Sequence, residues 1–113
     1  MGEEKRLVYR IEDVNPGKLK GQLIAMAKGS SGSLQFDVIE GLMSVNKGDI
    51  IEVTLTTEKP ENLDPYDFCG HGYLVRRVDD HEIFSIWGIL FVFSPPVGLR
   101  DNVKYYLCVS IKK

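Results

Sequence analysis

The chain of 113 residues has little of what most catalytic and metal sites require. It contains only two histidines and two cysteines, and the cysteines sit in no C-x-x-C or other metal-ligand spacing. Its longest apolar stretch, residues 86–93, is eight residues long. A membrane-spanning helix needs roughly 20. We therefore predict no membrane span, no bound metal and no cofactor.

An excess of basic residues is also absent. Fourteen Lys and Arg stand against 16 Asp and Glu, a formal net charge of −2, which does not favour dedicated nucleic-acid binding. With 43% hydrophobic and 27% charged residues, the composition is that of a globular chain. Its length leaves room for one core, so we predict a single domain over residues 1–113. The start, Met1-Gly2-Glu3-Glu4, has no apolar stretch typical of a secretory signal, which favours a cytoplasmic location.

The apolar residues alternate with a period of two rather than 3.6, which predicts β-strands. Such strands are expected at residues 7–11, 22–28, 34–38, 51–55, 73–78, 82–87, 89–93 and 103–111. Turn-forming Gly, Pro, Asn, Asp and Ser fall between them, including a hairpin expected at residues 78–81. About eight short strands without crossover helices predict an all-β antiparallel barrel or sandwich.

Candidate catalytic residues are few. Cys69-Gly70-His71 could be drawn as a nucleophile with its base. In a strand, however, residues 69 and 71 lie about 7 Å apart on one face, and no third group nearby orients them. We interpret Cys69 and Cys108 as small buried residues rather than as a disulfide or reactive thiols. No catalytic residue is predicted.

Residues 86–93 carry bulky apolar side chains at every position except Gly88. A strand of a small barrel has only one face toward the core. The apolar side chains on the other face of this segment must therefore be covered by something other than the barrel interior. Another part of the same chain is one candidate for this cover, and a partner protein is the other.

Short motifs along the chain can be compared with known families. Residues 14–18 are V-N-P-G-K, similar to a V-D-P-G-[RK] motif, and residues 34–40 resemble an alternating L-x-[IF]-x-V strand. Residues 70–73 are similar to G-x-[AG]-Y, residues 85–91 to S-[FI]-x-G-[GI]-L-[LMF], and residues 105–113 to an aromatic-rich last strand ending in I-[RK]-[RK]. In this order and spacing they resemble the G subunit of archaeal RNA polymerase, the counterpart of eukaryotic common subunit 8. The short connection at residues 57–65 departs from the eukaryotic members, which carry a long polar loop there.

This resemblance implies an antiparallel OB-type β-barrel of about eight strands with little or no helix. It implies a non-catalytic peripheral subunit of DNA-dependent RNA polymerase that docks on the largest subunit and supports assembly or stability. The partners would be that subunit and the rest of the polymerase, with nucleic acid contacted at most indirectly and no homo-oligomer. We expect the docking contact at Ile86, Trp87, Gly88, Ile89, Leu90 and Phe91.

A single-stranded nucleic-acid-binding protein is the alternative function, because OB folds commonly bind single strands through aromatic residues and a basic groove. The candidate contacts are Lys18, Lys20, Arg76 and Lys104. The near balance of charge and the expected inward position of most aromatic residues count against this alternative.

Overall fold

Eight antiparallel strands form a closed barrel in the computed structural model, which describes residues 3–112. The strands are β1 (Glu4–Pro16), β2 (Gln22–Gly29), β3 (Gly32–Ile39), β4 (Ile50–Thr56), β5 (Phe68–Val78), β6 (His81–Ile86), β7 (Ile89–Ser94) and β8 (Tyr105–Lys112). Around the barrel their order is β1-β2-β3-β7-β6-β5-β8-β4. The predicted eight-stranded all-β barrel is confirmed, and residues 3–112 contain no helix. Expectations that rest on Met1, Gly2 and Lys113 lie outside the described residues.

Strands β1 and β5 are long because each pairs with two neighbours in succession. β1 pairs with β4 up to Arg10 and with β2 from Arg10 onward, with a register shift between Ile11 and Asp13. β5 pairs with β8 up to Gly72 and with β6 from Tyr73 onward. These two changes of partner are the corners at which the sheet closes into a barrel. The hairpin expected at residues 78–81 is confirmed by the β5–β6 pairing.

Gly72 lies at the corner in β5, where the backbone of β6 passes very close. A Cβ atom at this position would overlap the carbonyl oxygen of Ser85, and backbone atoms cannot move aside as a flexible side chain can. Replacing Gly72 with alanine is expected to lower the free energy of unfolding by about 1–3 kcal/mol, because β6 must shift to make room. Urea denaturation measures this loss.

The control for this prediction is Gly17→Ala. The three atoms nearest to a Cβ atom at Gly17 all belong to the side chain of Gln22, which can rotate away. Equal stabilities of the Gly72→Ala and Gly17→Ala proteins would contradict the corner role of Gly72.

The barrel interior is filled by aromatic and branched side chains that alternate along the strands. The rings of Phe36 and Phe91 stack with centroids 5.6 Å apart, and Phe84 meets Tyr105 edge-on at 6.3 Å. Burial raises the pKa of the Tyr9 phenol above its ordinary value, while a hydrogen bond with Ser31 acts in the opposite direction. The largest fully buried side chains are Tyr9, Ile11, Leu34, Phe36, Ile51, Leu55, Glu82, Phe84, Phe91, Phe93, Tyr105 and Leu107.

The outer side of β4 and β8 is buried too. Thr54 is 2% exposed and Ser110 is 9% exposed, although both point away from the barrel interior. The connection between β4 and β5 is hydrogen-bonded to β8 on this outer side. The Asp67 carboxylate accepts a hydrogen bond from the Ile111 N–H at 2.7 Å, and the Asp67 N–H donates to the Val109 carbonyl at 2.8 Å. The chain therefore covers this part of its own barrel.

Cys69 and Cys108 form a disulfide bond, so the interpretation of both as unpaired residues is wrong. Cys69 on β5 lies directly opposite Cys108 on β8, and their Cα atoms are 4.1 Å apart. The two residues are 39 positions apart in the chain. Their pairing depends on the register of β5 against β8, which the spacing in the sequence does not reveal.

Glu82 is a buried carboxylate, 1% exposed, that anchors the connection between β7 and β8. Its oxygens accept hydrogen bonds from the N–H groups of Val97 at 2.7 Å, Gly98 at 3.1 Å and Leu99 at 3.1 Å. Arg77 neutralises the charge, with its Nη2 3.4 Å from Glu82 Oε2, and also donates to the Leu99 carbonyl at 2.8 Å. One pair of side chains thus fixes three consecutive residues of this connection.

Candidate docking site

The β6–β7 hairpin turns on Trp87 and Gly88, whose φ angles are both positive, at 52° and 91°. Strand β6 ends at Ile86, one residue earlier than expected, so Trp87 lies in the turn and not in the strand. Two-residue turns with positive φ at both positions favour Asn or Asp followed by Gly. A bulky residue is uncommon at the first position and costs conformational energy there. The Ser85 hydroxyl supports the turn by accepting a hydrogen bond from the Gly88 N–H at 3.1 Å.

The indole of Trp87 is 87% exposed, so the tryptophan contributes almost nothing to the core. His71 on β5 meets it edge-on, with ring centroids 6.4 Å apart. His71 also meets Tyr106 on β8 at 5.9 Å, and the Lys104 ammonium lies 5.3 Å from the centre of the Tyr106 ring. A series of aromatic rings therefore runs from the hairpin tip across β5 to β8.

Further apolar side chains extend this surface along the barrel. Tyr73, Val75 and Leu90 are 45%, 57% and 39% exposed. Tyr73 pairs with Ser85, and Ser85 pairs with Leu90, so Tyr73, Ser85 and Leu90 form one outward row across β5, β6 and β7. A shallow depression of about 310 Å³ separates Trp87 from β5. We call the surface made by His71, Tyr73, Val75, Trp87 and Leu90 the Trp87 face.

The six residues expected at the docking contact do not share one surface. Trp87, Gly88 and Leu90 are exposed. Ile86 and Phe91 are 4% and 0% exposed and point into the barrel, and Ile89 is half-buried against the core. The barrel itself thus covers one of the two apolar sets, while Trp87 and Leu90 stay open to a partner.

The four basic residues proposed for nucleic-acid contact lie at two ends of the barrel. Lys18 and Lys20 are in the turn between β1 and β2. Arg76 is near the end of β5 and Lys104 immediately precedes β8. Because neighbouring strands are antiparallel, the end of β1 and the end of β5 are at opposite ends of the barrel. The four residues do not form one cluster, and contact of any of them with nucleic acid stays a prediction.

The structure offers no nucleophile at Cys69, because its sulfur is bonded to Cys108. The His71 ring lies against Trp87 and Tyr106 instead. Within residues 3–112, no three His, Cys, Asp or Glu side chains are grouped so that they could hold a metal ion. The same part of the chain has no helix with the length and apolar character needed to cross a membrane.

Sequence reasoning missed Tyr73 and Val75 as surface residues. In most half-buried strands the large apolar side chains face the core. In β5, Tyr73 and Val75 face outward instead. Its inward positions include Gly70 and Gly72, which are crowded by Ile86 and by the Ser85 backbone. The glycines in the sequence are the signal that could have shown this reversal.

A small closed barrel with a filled interior leaves only its outer surface, here with an exposed aromatic face, for contact with other molecules. Comparison with known proteins identifies the family. The family model for the G subunit of DNA-directed RNA polymerase matches residues 6–112. The chain therefore belongs to this G-subunit family and is a subunit of DNA-directed RNA polymerase, as its motifs suggested.

Two relatives carry the name DNA-directed RNA polymerase subunit Rpo8. The protein from Saccharolobus solfataricus is 24% identical, with the alignment covering 97% of this chain and 95% of the relative. The protein from Sulfolobus acidocaldarius is 26% identical over 91% of this chain and 94% of the relative. The similarity therefore extends over nearly the full length of each protein, and both relatives fit an archaeal origin.

Proposed function

We propose that this chain is a non-catalytic peripheral subunit of RNA polymerase that docks on the largest subunit and supports assembly and stability of the enzyme. Membership of the G-subunit family supports the polymerase as the assembly. Nucleotide addition, with its metal ions, then belongs to the large subunits. The chain acts in the cytoplasm as part of this complex.

Trp87 carries the proposal for where docking occurs. The residue occupies a turn position with φ of 52°, where Asp or Asn would be less strained, and its indole is 87% exposed. It therefore contributes to the stability of the isolated barrel neither through the backbone nor through burial. Tryptophan is enriched among the residues that dominate protein–protein binding energies, because its large ring fills a pocket on the partner. Tyr73, Val75 and Leu90 supply the surrounding apolar area.

The double variant Trp87→Asp, Leu90→Asp is expected to lose association with the largest subunit. Removal of one central tryptophan costs about 2 kcal/mol or more of binding energy, or roughly 30-fold in Kd, and a carboxylate buried against an apolar partner surface adds to this loss. Pull-down of the purified largest subunit by the tagged variant, followed by co-purification of the reconstituted polymerase, measures the effect.

Matched controls separate docking from folding. Leu19→Asp with Met26→Asp likewise places two carboxylates on exposed apolar residues, 71% and 47% exposed, in the turn before β2 and on β2, away from the Trp87 face, and should leave the stoichiometry unchanged. Trp87→Asp should remain folded, because aspartate suits the turn. Ile89 is kept, since it packs against the core. A folded double variant that binds the largest subunit as well as the parent does would refute the proposed docking face.

A further inference from the structure

The Cys69–Cys108 disulfide lies on the outer side of the barrel, next to the connection between β4 and β5. Along β8, Leu107 and Val109 belong to the core, and Cys108 between them points the other way. Cys108 stands opposite Thr54, which also points outward. Both residues are nevertheless buried, at 0% and 2% exposed. The disulfide is therefore enclosed between the barrel wall and this connection.

A groove of about 280 Å³ on the surface includes Cys69 in its lining but not Cys108. Cys69 is half-buried, whereas Cys108 is fully buried. The other lining residues come from the connection on one side and from β5 and β8 on the other: Lys59, Pro60, Leu63, Gly70, His71 and Tyr106. The two halves of the bond are thus unequal, because a small molecule in the groove reaches Cys69 first.

The middle of the connection, residues 59–65, has no hydrogen bond to the barrel within the described chain. Its polar contacts are internal, such as the hydrogen bond from the Tyr66 N–H to the Leu63 carbonyl at 3.1 Å. Only the ends are anchored, at Thr57 and at Asp67. Exposed segments with few contacts open locally at low cost. The groove can therefore widen while the barrel stays folded.

The first half of β5, residues 68–72, pairs with β8 on one side and has no ladder partner on the other, since β6 pairs only with the second half. The disulfide is the covalent link in this single ladder. His71 follows Cys69 by two residues, lies opposite Tyr106, and also meets Trp87 edge-on. Opening the disulfide therefore loosens the segment that holds His71 against Trp87.

We infer that the disulfide is a redox switch: a small anionic thiol enters the groove, reduces the bond at Cys69, and thereby loosens the Trp87 face. The nucleophile in disulfide exchange is a thiolate. The Lys59 side chain lines the groove, and its positive charge favours an anion there. The cytoplasm, the location proposed above, contains small thiols that reduce disulfides.

Reduction proceeds by two exchanges. In the first, the small thiolate bonds to the sulfur of Cys69, the bond between the two protein sulfurs breaks, and Cys108 leaves as a thiolate that takes up a proton. In the second, another small thiolate attacks the sulfur of the first small thiol, and Cys69 leaves and is protonated. The protein gains two electrons and two protons, and two small thiols are oxidised to one small disulfide.

The consequence for docking rests on the proposed function. The reduced chain must order residues 68–72 again when the Trp87 face binds the largest subunit, and ordering the backbone of about one residue lowers affinity by about tenfold. Linkage is reciprocal, so the bound largest subunit makes the disulfide harder to reduce by the same factor.

Two single-cysteine variants test whether exchange occurs at Cys69 in the isolated chain. With oxidised glutathione, the Cys108→Ala protein is expected to take up one glutathione about tenfold faster or more than the Cys69→Ala protein, because its remaining thiol lines the groove. Intact mass measures the uptake, and circular dichroism checks that both variants are folded. In the parent protein, acid quenching during reduction by glutathione should trap the mixed disulfide on Cys69, which needs no variant to fold.

The Lys59→Gln protein tests the preference for an anionic thiol. We expect reduction by glutathione to slow by about threefold, the size of one exposed charge interaction, and reduction by neutral mercaptoethanol to keep its rate. Equal slowing with both thiols would show that Lys59 does not select an anion.

Hydrogen exchange and the fluorescence of Trp87, the one tryptophan of the chain, report on the Trp87 face. Reduction should speed exchange at residues 69–72 by about tenfold or more and change the Trp87 emission, while the amides of β2 and β3 keep their rates. In the His71→Ala protein the emission should no longer respond to reduction. Equal glutathione uptake by the two single-cysteine variants, or unchanged exchange at residues 69–72 after reduction, would overturn the inference.

Binding of the oxidised and reduced chains to the purified largest subunit tests the link to docking. We expect the oxidised chain to bind about tenfold more tightly. Equal affinities would overturn control of docking by the switch. If the isolated chain responds to reduction as expected and the oxidised chain does not bind the largest subunit, the proposed docking is refuted and the switch stands.

Discussion

The Glu82→Ala protein is expected to be less stable than the parent by about 3–5 kcal/mol, because leaving a backbone N–H group without its acceptor costs roughly 1–3 kcal/mol and this carboxylate accepts from three of them. The substitution leaves the N–H groups of Val97, Gly98 and Leu99 without the oxygens that now accept their hydrogen bonds. It also leaves a cavity and an uncompensated Arg77. Chemical denaturation followed by circular dichroism measures the loss, and hydrogen exchange at these three amides shows whether the connection between β7 and β8 opens.

Two variants show which part of this effect belongs to the buried carboxylate. Arg77→Ala should cost less, about 1 kcal/mol, because the buried Glu82 carboxylate keeps its three backbone N–H donors and the Arg77 side chain, 44% exposed, is screened by water. Glu61→Ala removes an exposed carboxylate in the connection between β4 and β5 and should be neutral. A Glu82→Ala protein as stable as the Glu61→Ala protein would show that Glu82 does not anchor the connection.

Opening the Cys69–Cys108 disulfide is expected to lower the free energy of unfolding by about 4 kcal/mol. The bond closes a loop spanning a sequence separation of 39 residues, and the chain-entropy model gives a value of this size for such a loop. The link also holds β5 to β8 near the corner at Gly72, where β5 changes partner. Thermal unfolding with and without dithiothreitol measures the difference.

The Cys69→Ala, Cys108→Ala protein is the control for the disulfide. Its stability should match that of the reduced parent protein and should not change with reductant. Alkylation of the folded parent protein without reductant should add no mass, since both sulfurs are bonded. Rapid labelling of two thiols under these conditions would contradict the bond between β5 and β8.

Most of the strands could be predicted from the sequence because alternation is a local property. Residues 34–38 and 51–55 show the period of two in a few consecutive positions, and β3 and β4 contain them. The hairpin between β5 and β6 was equally predictable, since Asp79 and Asp80 mark a turn between two apolar segments. The motifs along the chain likewise indicated the G-subunit family before the register of any strand was known.

The candidate docking site was predictable only in part. The apolar segment at residues 86–93 drew attention to Trp87 and Leu90, which the structure shows to be exposed, but alternation alone could not show that a turn separates β6 from β7. Tyr73 and Val75 were missed because their outward orientation follows from the crowding at Gly70 and Gly72. That crowding arises between strands, so the sequence of β5 shows the two glycines but not the neighbouring strand that requires them.

The sequence by itself determined the class of fold, the approximate positions of the strands and the family, because hydrophobic period, turn residues and motif order are properties of neighbouring residues. Only the tertiary structure decided that Cys69 meets Cys108, that Glu82 holds the connection between β7 and β8, and that Arg10 stands between Lys28 and Ile50. Each of these contacts joins residues of different strands. Its existence depends on strand order and register, and a shift of one residue would turn every side chain of a strand to the other face.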